Sequence, residues 1–124
     1  MKVDKDVQER LVKNLKNWQK ELNEGIDGII EYISKADTVE QIMRAKKNLL
    51  CHLLERFPLT AAHCYFCLKI IEKELLTCEH CPYAKKHKIC DEDGSDYFLI
   101  KDSLKTFYHL VQKLYYKDET YDEQ

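Results

Sequence analysis

Beginning at Val7, an apolar residue returns every third or fourth position: Val7, Leu11, Leu15, Trp18, Leu22, Ile26, Ile29 and Ile33. That spacing lays eight side chains along one face of a helix, whereas a strand would scatter them over both of its faces. It predicts a first helix over about residues 4–35. Gly25 and Gly28 fall inside it. Each costs about 1 kcal/mol in a helix interior, so a kink or break is expected near residues 23–28. No strand pattern precedes these glycines, so they read as a bend or a close helix contact and not as a phosphate loop.

The chain has only three glycines and two prolines in 124 residues, which favours few, long elements. A second helix follows Thr38, which forms a capping box with Gln41. Its apolar face is Ile42, Ala45, Leu49, Leu50, Leu53 and Leu54, and Pro58 stops it by about Arg56 or Phe57. Thr60 is placed to cap a third helix bearing Ala61, Cys64, Cys67, Leu68, Ile71 and Leu75. The stretch TCEHCPYAKKHKICDEDGS then breaks the periodicity and reads as a loop. Asp93 or Ser95 starts a fourth helix reaching about Lys117. Its expected buried stripe is Ile100, Leu104, Phe107, Tyr108, Val111, Leu114 and Tyr115. The expected fold is all-α, an antiparallel four-helix bundle with an irregular cysteine-rich loop between helices 3 and 4. One domain over residues 1–117 carries the cysteine-rich segment 64–90, and an acidic, flexible tail covers residues 118–124.

The N-terminal MKVDKDVQER has no apolar run behind its charges, so no secretory signal is expected, and no stretch approaches the roughly 20 apolar residues of a membrane span. A cytoplasmic location follows as the expectation. There, clustered cysteines bind metal or do redox work more often than they form lasting disulfides. The formal net charge of −2 provides no general attraction to nucleic acid or to anionic membranes.

Four of the six cysteines form two C-x2-C pairs, Cys64/Cys67 and Cys78/Cys81, and Cys90 follows in a lysine-rich segment. Geometry leaves their grouping open. On a helix running unbroken to Thr77, Cys67 and Cys78 lie about 16 Å apart along the axis. A tetrahedral zinc site holds its sulfurs only about 4 Å apart. One shared ion on Cys64, Cys67, Cys78 and Cys81 therefore requires the helix to end near residues 71–73 and the chain to turn back. Otherwise Cys78 and Cys81 look forward to His87 and Cys90 as alternative ligands, and Cys64 and Cys67 join the core as small buried hydrophobes. Cys51 reads as a core residue, and a helical hairpin about Pro58 would bring it level with Cys64.

The run C-Y-F-C … C-E-H-C-P-Y … C … G-S-D-Y, over about residues 64–97, resembles a pattern in small bacterial, archaeal and phage proteins with C-x2-C, C-x2-C-P and a downstream cysteine. The resemblance implies metal binding. Thiolate ligands suit zinc first and an iron–sulfur cluster second. The expected role is that of a metal-binding adaptor with structural zinc and another protein as partner, and no catalytic residues are assigned. An iron–sulfur or dithiol redox protein is one alternative. A nucleic-acid-associated factor is the other, resting on Lys85, Lys86 and Lys88 with Arg44, Lys46 and Lys47.

Overall fold

The computed structural model describes residues 1–72, 78–117 and 120–121, and their regular structure is helical throughout. In chain order the α-helices are α1 (Lys5–Lys35), α2 (Val39–Glu55), α3 (Tyr65–Glu72), α4 (Pro82–His87) and α5 (Asp96–Leu114), with 3-10 turns at Ala61–His63 and Cys78–His80. The chain divides into two compact units. One comprises Met1–Trp18 and Pro58–Ser103, the other Gln19–Phe57 and Leu104–Gln124.

In the first unit, Asp4 opens α1 by accepting the backbone N–H groups of Asp6 (3.1 Å) and Val7 (3.4 Å), as an N-cap does. The stripe then turns inward as its spacing predicts, with Val7 fully buried and Leu11, Leu15 and Trp18 half-buried. Three contacts tie this half-helix to the segment after Pro58. The Asp4 N–H donates to the Tyr65 hydroxyl at 2.8 Å, Asn14 Nδ2 donates to the Ala62 carbonyl at 2.8 Å, and the Trp18 ring meets His63 edge-on. Among the described residues, Leu68 of α3 and Cys81 before α4 supply the other buried apolar groups of this unit.

In the second unit the stripe continues through Leu22, Ile26, Ile29 and Ile33, all half-buried. Helix α1 is unbroken across both glycines. Gly25 is the close contact that the sequence allowed for: a side chain there would collide with the His52 ring, whose Nε2–H donates to the Leu22 carbonyl at 3.1 Å. Gly28 faces open space. Thr38 caps α2 in the predicted capping box with Gln41, and the helix ends at Arg56, before Pro58. Ala45 is buried and Leu49, Leu50 and Leu54 are half-buried, while Ile42 and Leu53 are more exposed than the pattern suggests. Val111 and Tyr116 complete the buried set. Tyr121 stacks on Tyr116, and its N–H donates to Glu40 at 3.1 Å. The rest of the expected tail, residues 118–119 and 122–124, lies outside the described residues.

Three expectations change. The third helix is not continuous from Thr60. A 3-10 turn leads to an extended Cys64, and the α-helix begins only at Tyr65. The cysteine-rich loop is more regular than its sequence suggests, since Pro82 at the first helical position starts α4. On α5 the inward line is Tyr97, Leu104, Tyr108, Val111 and Tyr115, whereas Ile100, Phe107 and Leu114, seven residues apart, form a separate exposed line. Two apolar lines on one helix cannot both face the same neighbours, and periodicity alone does not say which is buried.

Candidate functional site

Both C-x2-C pairs stand at places where the backbone enters a helix. Cys64 is extended (φ −120°, ψ 121°) and its carbonyl accepts the Leu68 N–H at 3.0 Å, so it stands at the N-cap of α3 with Cys67 in the first turn. Cys81 holds the same place before α4 (φ −75°, ψ 123°), its carbonyl accepting the Lys85 N–H at 3.2 Å. Cys78 begins the 3-10 turn, and its carbonyl accepts the Cys81 N–H at 3.0 Å.

Cys90 is positioned from the other side. Ser95 is fully buried; its hydroxyl donates to the Cys90 carbonyl at 3.0 Å and accepts the Phe98 N–H at 3.0 Å. One side chain thus caps α5 and holds the backbone of the fifth cysteine. The turn between them bends through Gly94 (φ 84°), and Lys88, two residues before Cys90, is also at positive φ (φ 65°, ψ 167°). Glycine adopts such a conformation freely, whereas lysine there is strained.

The result is a cavity of about 740 Å³ in the first unit, lined by Cys64, Cys67, Cys78, Cys81 and Cys90 together. Tyr65, Phe66, Tyr83 and Tyr97 form much of its apolar wall. The two pairs therefore line one cavity, and Cys90 lines it as well. The turn-back expected after residues 71–73 falls on residues 73–77, outside those described. The core alternative needed Ile71 and Leu75 on the face of Cys64 and Cys67. Ile71 is 65% exposed, although Leu68, one turn on from Cys64, is 5% exposed; Leu75 lies outside the described residues.

His87 stands apart from the cavity lining. Its Nδ1–H donates to Asp96 at 2.6 Å and its ring stacks on Tyr83 at 4.4 Å. His63 lines the cavity and shares a hydrogen bond with Thr60 at 3.0 Å. Cys51 sits half-buried on α2 in the second unit, where burial and the Glu55 carboxylate push its thiol up.

Electrostatics bind the five thiols into one system. Burial first, then Cys64, Cys90 and Cys81, push the Cys67 thiol up to about 12. Burial, Cys64, Cys81, Cys78 and Asp91 raise Cys90. Tyr97 is raised by burial and by Cys90, Cys64 and Cys67. Each thiolate that forms makes the next harder to form, and a bound dication would reverse that ordering. Among the described residues, no three Cys, His, Asp or Glu side chains converge closely enough to hold a metal ion. The thiols surround a space and do not yet meet at a point.

The features least visible in sequence are Tyr83 and Tyr97 in the cavity wall and the contact of Ser95, the expected start of the last helix, with Cys90. All three belong to the short runs C-P-Y and G-S-D-Y that follow cysteines, so adjacency to the second pair and to the last turn was the available signal. The chain matches no known protein family, no curated protein and no solved structure. Among the described residues no helix is long and apolar enough to cross a membrane.

Proposed function

We propose that the protein is a metal-binding module in which four of the five cavity thiols hold one zinc ion, and that it acts as an adaptor for another protein. The observation that carries this reading is that Cys64, Cys67, Cys78, Cys81 and Cys90, from three separate stretches of chain, line one cavity. Zinc favours thiolate sulfur and a closed tetrahedral shell. Binding would draw the side chains inward and replace repulsion between thiolates with attraction to a shared cation. Such an ion leaves no position for water, so its role is structural. It would act where little else does: Val7, Leu68 and Cys81 are the buried apolar groups of this unit among the described residues. The exposed side chains of Ile71, Leu99 and Ile100 in the same unit support a protein partner. The packing of the long helices as an antiparallel four-helix bundle, and a cytoplasmic location, belong to the same proposal.

Metal analysis of protein purified without oxygen tests it. One zinc per chain, a colourless solution and four thiols that react only after chelation are the expected result. No metal with six freely reactive thiols would end the metal reading. A second reading, an iron–sulfur cluster, is favoured by one observation: the cavity is large for a lone ion, and a polynuclear cluster spreads its thiolates more widely. A brown solution with iron and sulfide in place of zinc would select it.

A further inference from the structure

Among the described residues no three ligating side chains converge, yet two of the cavity thiols do meet. Cys64 stands at the N-cap of α3 and Cys67 lies in its first turn, the relation in which a capping side chain lies over the third helical residue. The two thiols are hydrogen-bonded to one another. That bond helps Cys67 keep its proton, so Cys67 is the donor and the Cys64 sulfur accepts. The second C-x2-C pair is divided between solvent and interior, because Cys78 is exposed and Cys81 is buried. Beside the first pair lies the cavity of about 740 Å³, whose wall includes Tyr65, Phe66, Ile70, Tyr83 and Tyr97. We infer that Cys64 and Cys67 form a dithiol–disulfide exchange centre for disulfides carried on apolar or aromatic groups, with Cys64 as the nucleophile and Cys67 as the resolving thiol. The inference concerns the reduced chain with no metal bound, and it does not rest on the metal-binding reading.

The chemistry balances with the substrate disulfide as the oxidant. The Cys64 thiolate attacks one substrate sulfur: a mixed S–S bond forms, the substrate S–S bond breaks, and the leaving thiolate takes up the Cys67 proton. The Cys67 thiolate then attacks the Cys64 sulfur; the Cys64–Cys67 bond forms, the mixed bond breaks and the second substrate thiolate departs. The chain's two sulfurs lose two electrons and the substrate's two sulfurs gain them. Cys67 suits the second step because a protonated thiol does not attack the substrate itself, while its target, the Cys64 sulfur, is already in contact. Helical positions three apart have Cα atoms about 5 Å from each other, inside the roughly 4.4–6.8 Å that a disulfide spans.

The test uses the full, reduced chain with a chelator present and one equivalent of dipyridyl disulfide, an aromatic probe whose released thiopyridone is followed by absorbance. Once exchange has come to rest, the wild type should have released both thiopyridones. Peptide mass spectrometry should find Cys64 joined to Cys67 at least about tenfold more often than Cys78 to Cys81. In denaturant the two pairs close loops of equal length and should form equally. Cys67→Ser should release one thiopyridone and hold the pyridyl group on Cys64, and in Cys64→Ser the remaining Cys67 should be labelled at least about tenfold more slowly. The ratio of native to denatured reaction rate at Cys64 should be at least about tenfold higher for the aromatic probe than for oxidised glutathione, which is polar and charged. The inference is overturned if Cys78–Cys81 forms as readily as Cys64–Cys67 in the native chain, if the denatured chain shows the same selectivity, if wild-type Cys64 keeps the pyridyl group, if Cys67 is the faster nucleophile, or if the two probes give equal ratios.

Discussion

The segment Gln19–Phe57 and the segment Pro58–Ser103 show two ways of holding a chain in place. In the former, backbone groups are satisfied inside long helices, the capping box at Thr38 closes the only turn, and the apolar stripe faces inward along the length. In the latter, the helix after Pro58 is described for eight residues and the next runs for six. Nucleation is costly and neither length repays it alone. Order there comes from N-caps, a buried serine and a few buried apolar groups from separated positions. Sustained periodicity makes a segment self-sufficient; broken periodicity makes it depend on side chains and on whatever those side chains bind.

The strongest way to break this contrast is to remove a thiol that the proposed zinc site would use. Cys81→Ser and Cys90→Ser should each drop zinc content from one equivalent toward none and open residues 58–95 to protease. Far-UV circular dichroism should change little, because α1, α2 and α5 comprise 31, 17 and 19 residues against 8 and 6 in the cysteine region. Collapse of the whole helical signal would show that the two segments are not independent in this sense.

Next comes pH. In the metal-free, reduced protein the folded Cys67 thiol lies near 12 against an ordinary 9.0. The folded state thus holds its proton more tightly than the unfolded state does. Its contribution is complete below pH 9 and is lost as pH rises toward 12. Thermal melts of the metal-free protein should therefore fall over that interval, and Cys67→Ala should flatten the fall. Zinc uptake should release protons, seen by calorimetry in buffers of different ionisation enthalpy, with affinity rising with pH. Uptake without proton release would contradict thiolate ligation.

Ser95→Ala removes a cap and leaves the Cys90 carbonyl without its donor, and should cost about 2 kcal/mol by chemical denaturation. A cost below a few tenths would mean that water replaces the hydroxyl. In the helical segment, Gly25 and Gly28 lie only three residues apart but differ in what faces them. Gly25→Ala should destabilise by about 1–2 kcal/mol because the His52 ring must move, and His52→Ala should relieve much of that cost in a double-mutant cycle. Gly28→Ala, facing open space, should stabilise by up to about 1 kcal/mol. The smallest expected effect is Lys88→Gly, which relieves a left-handed lysine and should add about 1 kcal/mol or less.

The helices were legible because their signals are local. All eight stripe positions of α1 are buried or half-buried, and Thr38 and Gln41 cap α2 as their spacing implied. Gly25 and Gly28 look alike in sequence because a glycine's surroundings belong to another helix; only one faces His52. The site was legible as a set of residues but not as a grouping. Cys90, with His87, stood as the alternative to Cys64 and Cys67 on spacing, yet Cys64, Cys67 and Cys90 all line the cavity, and Ser95 joins Cys90 to α5 through a contact that no periodicity announces.

Residue order alone determined that this chain is helical, where its longest helices run, and which side chains carry thiol chemistry, because helical propensity, caps and apolar spacing act within a few residues of one another. The tertiary structure decided that five thiols share one cavity, that Cys78 is the exposed member and Cys81 the buried one, and which apolar line of α5 is covered. Those outcomes depend on where a chain returns after it turns, and loop closure brings together residues whose separation in sequence says nothing about their distance in space.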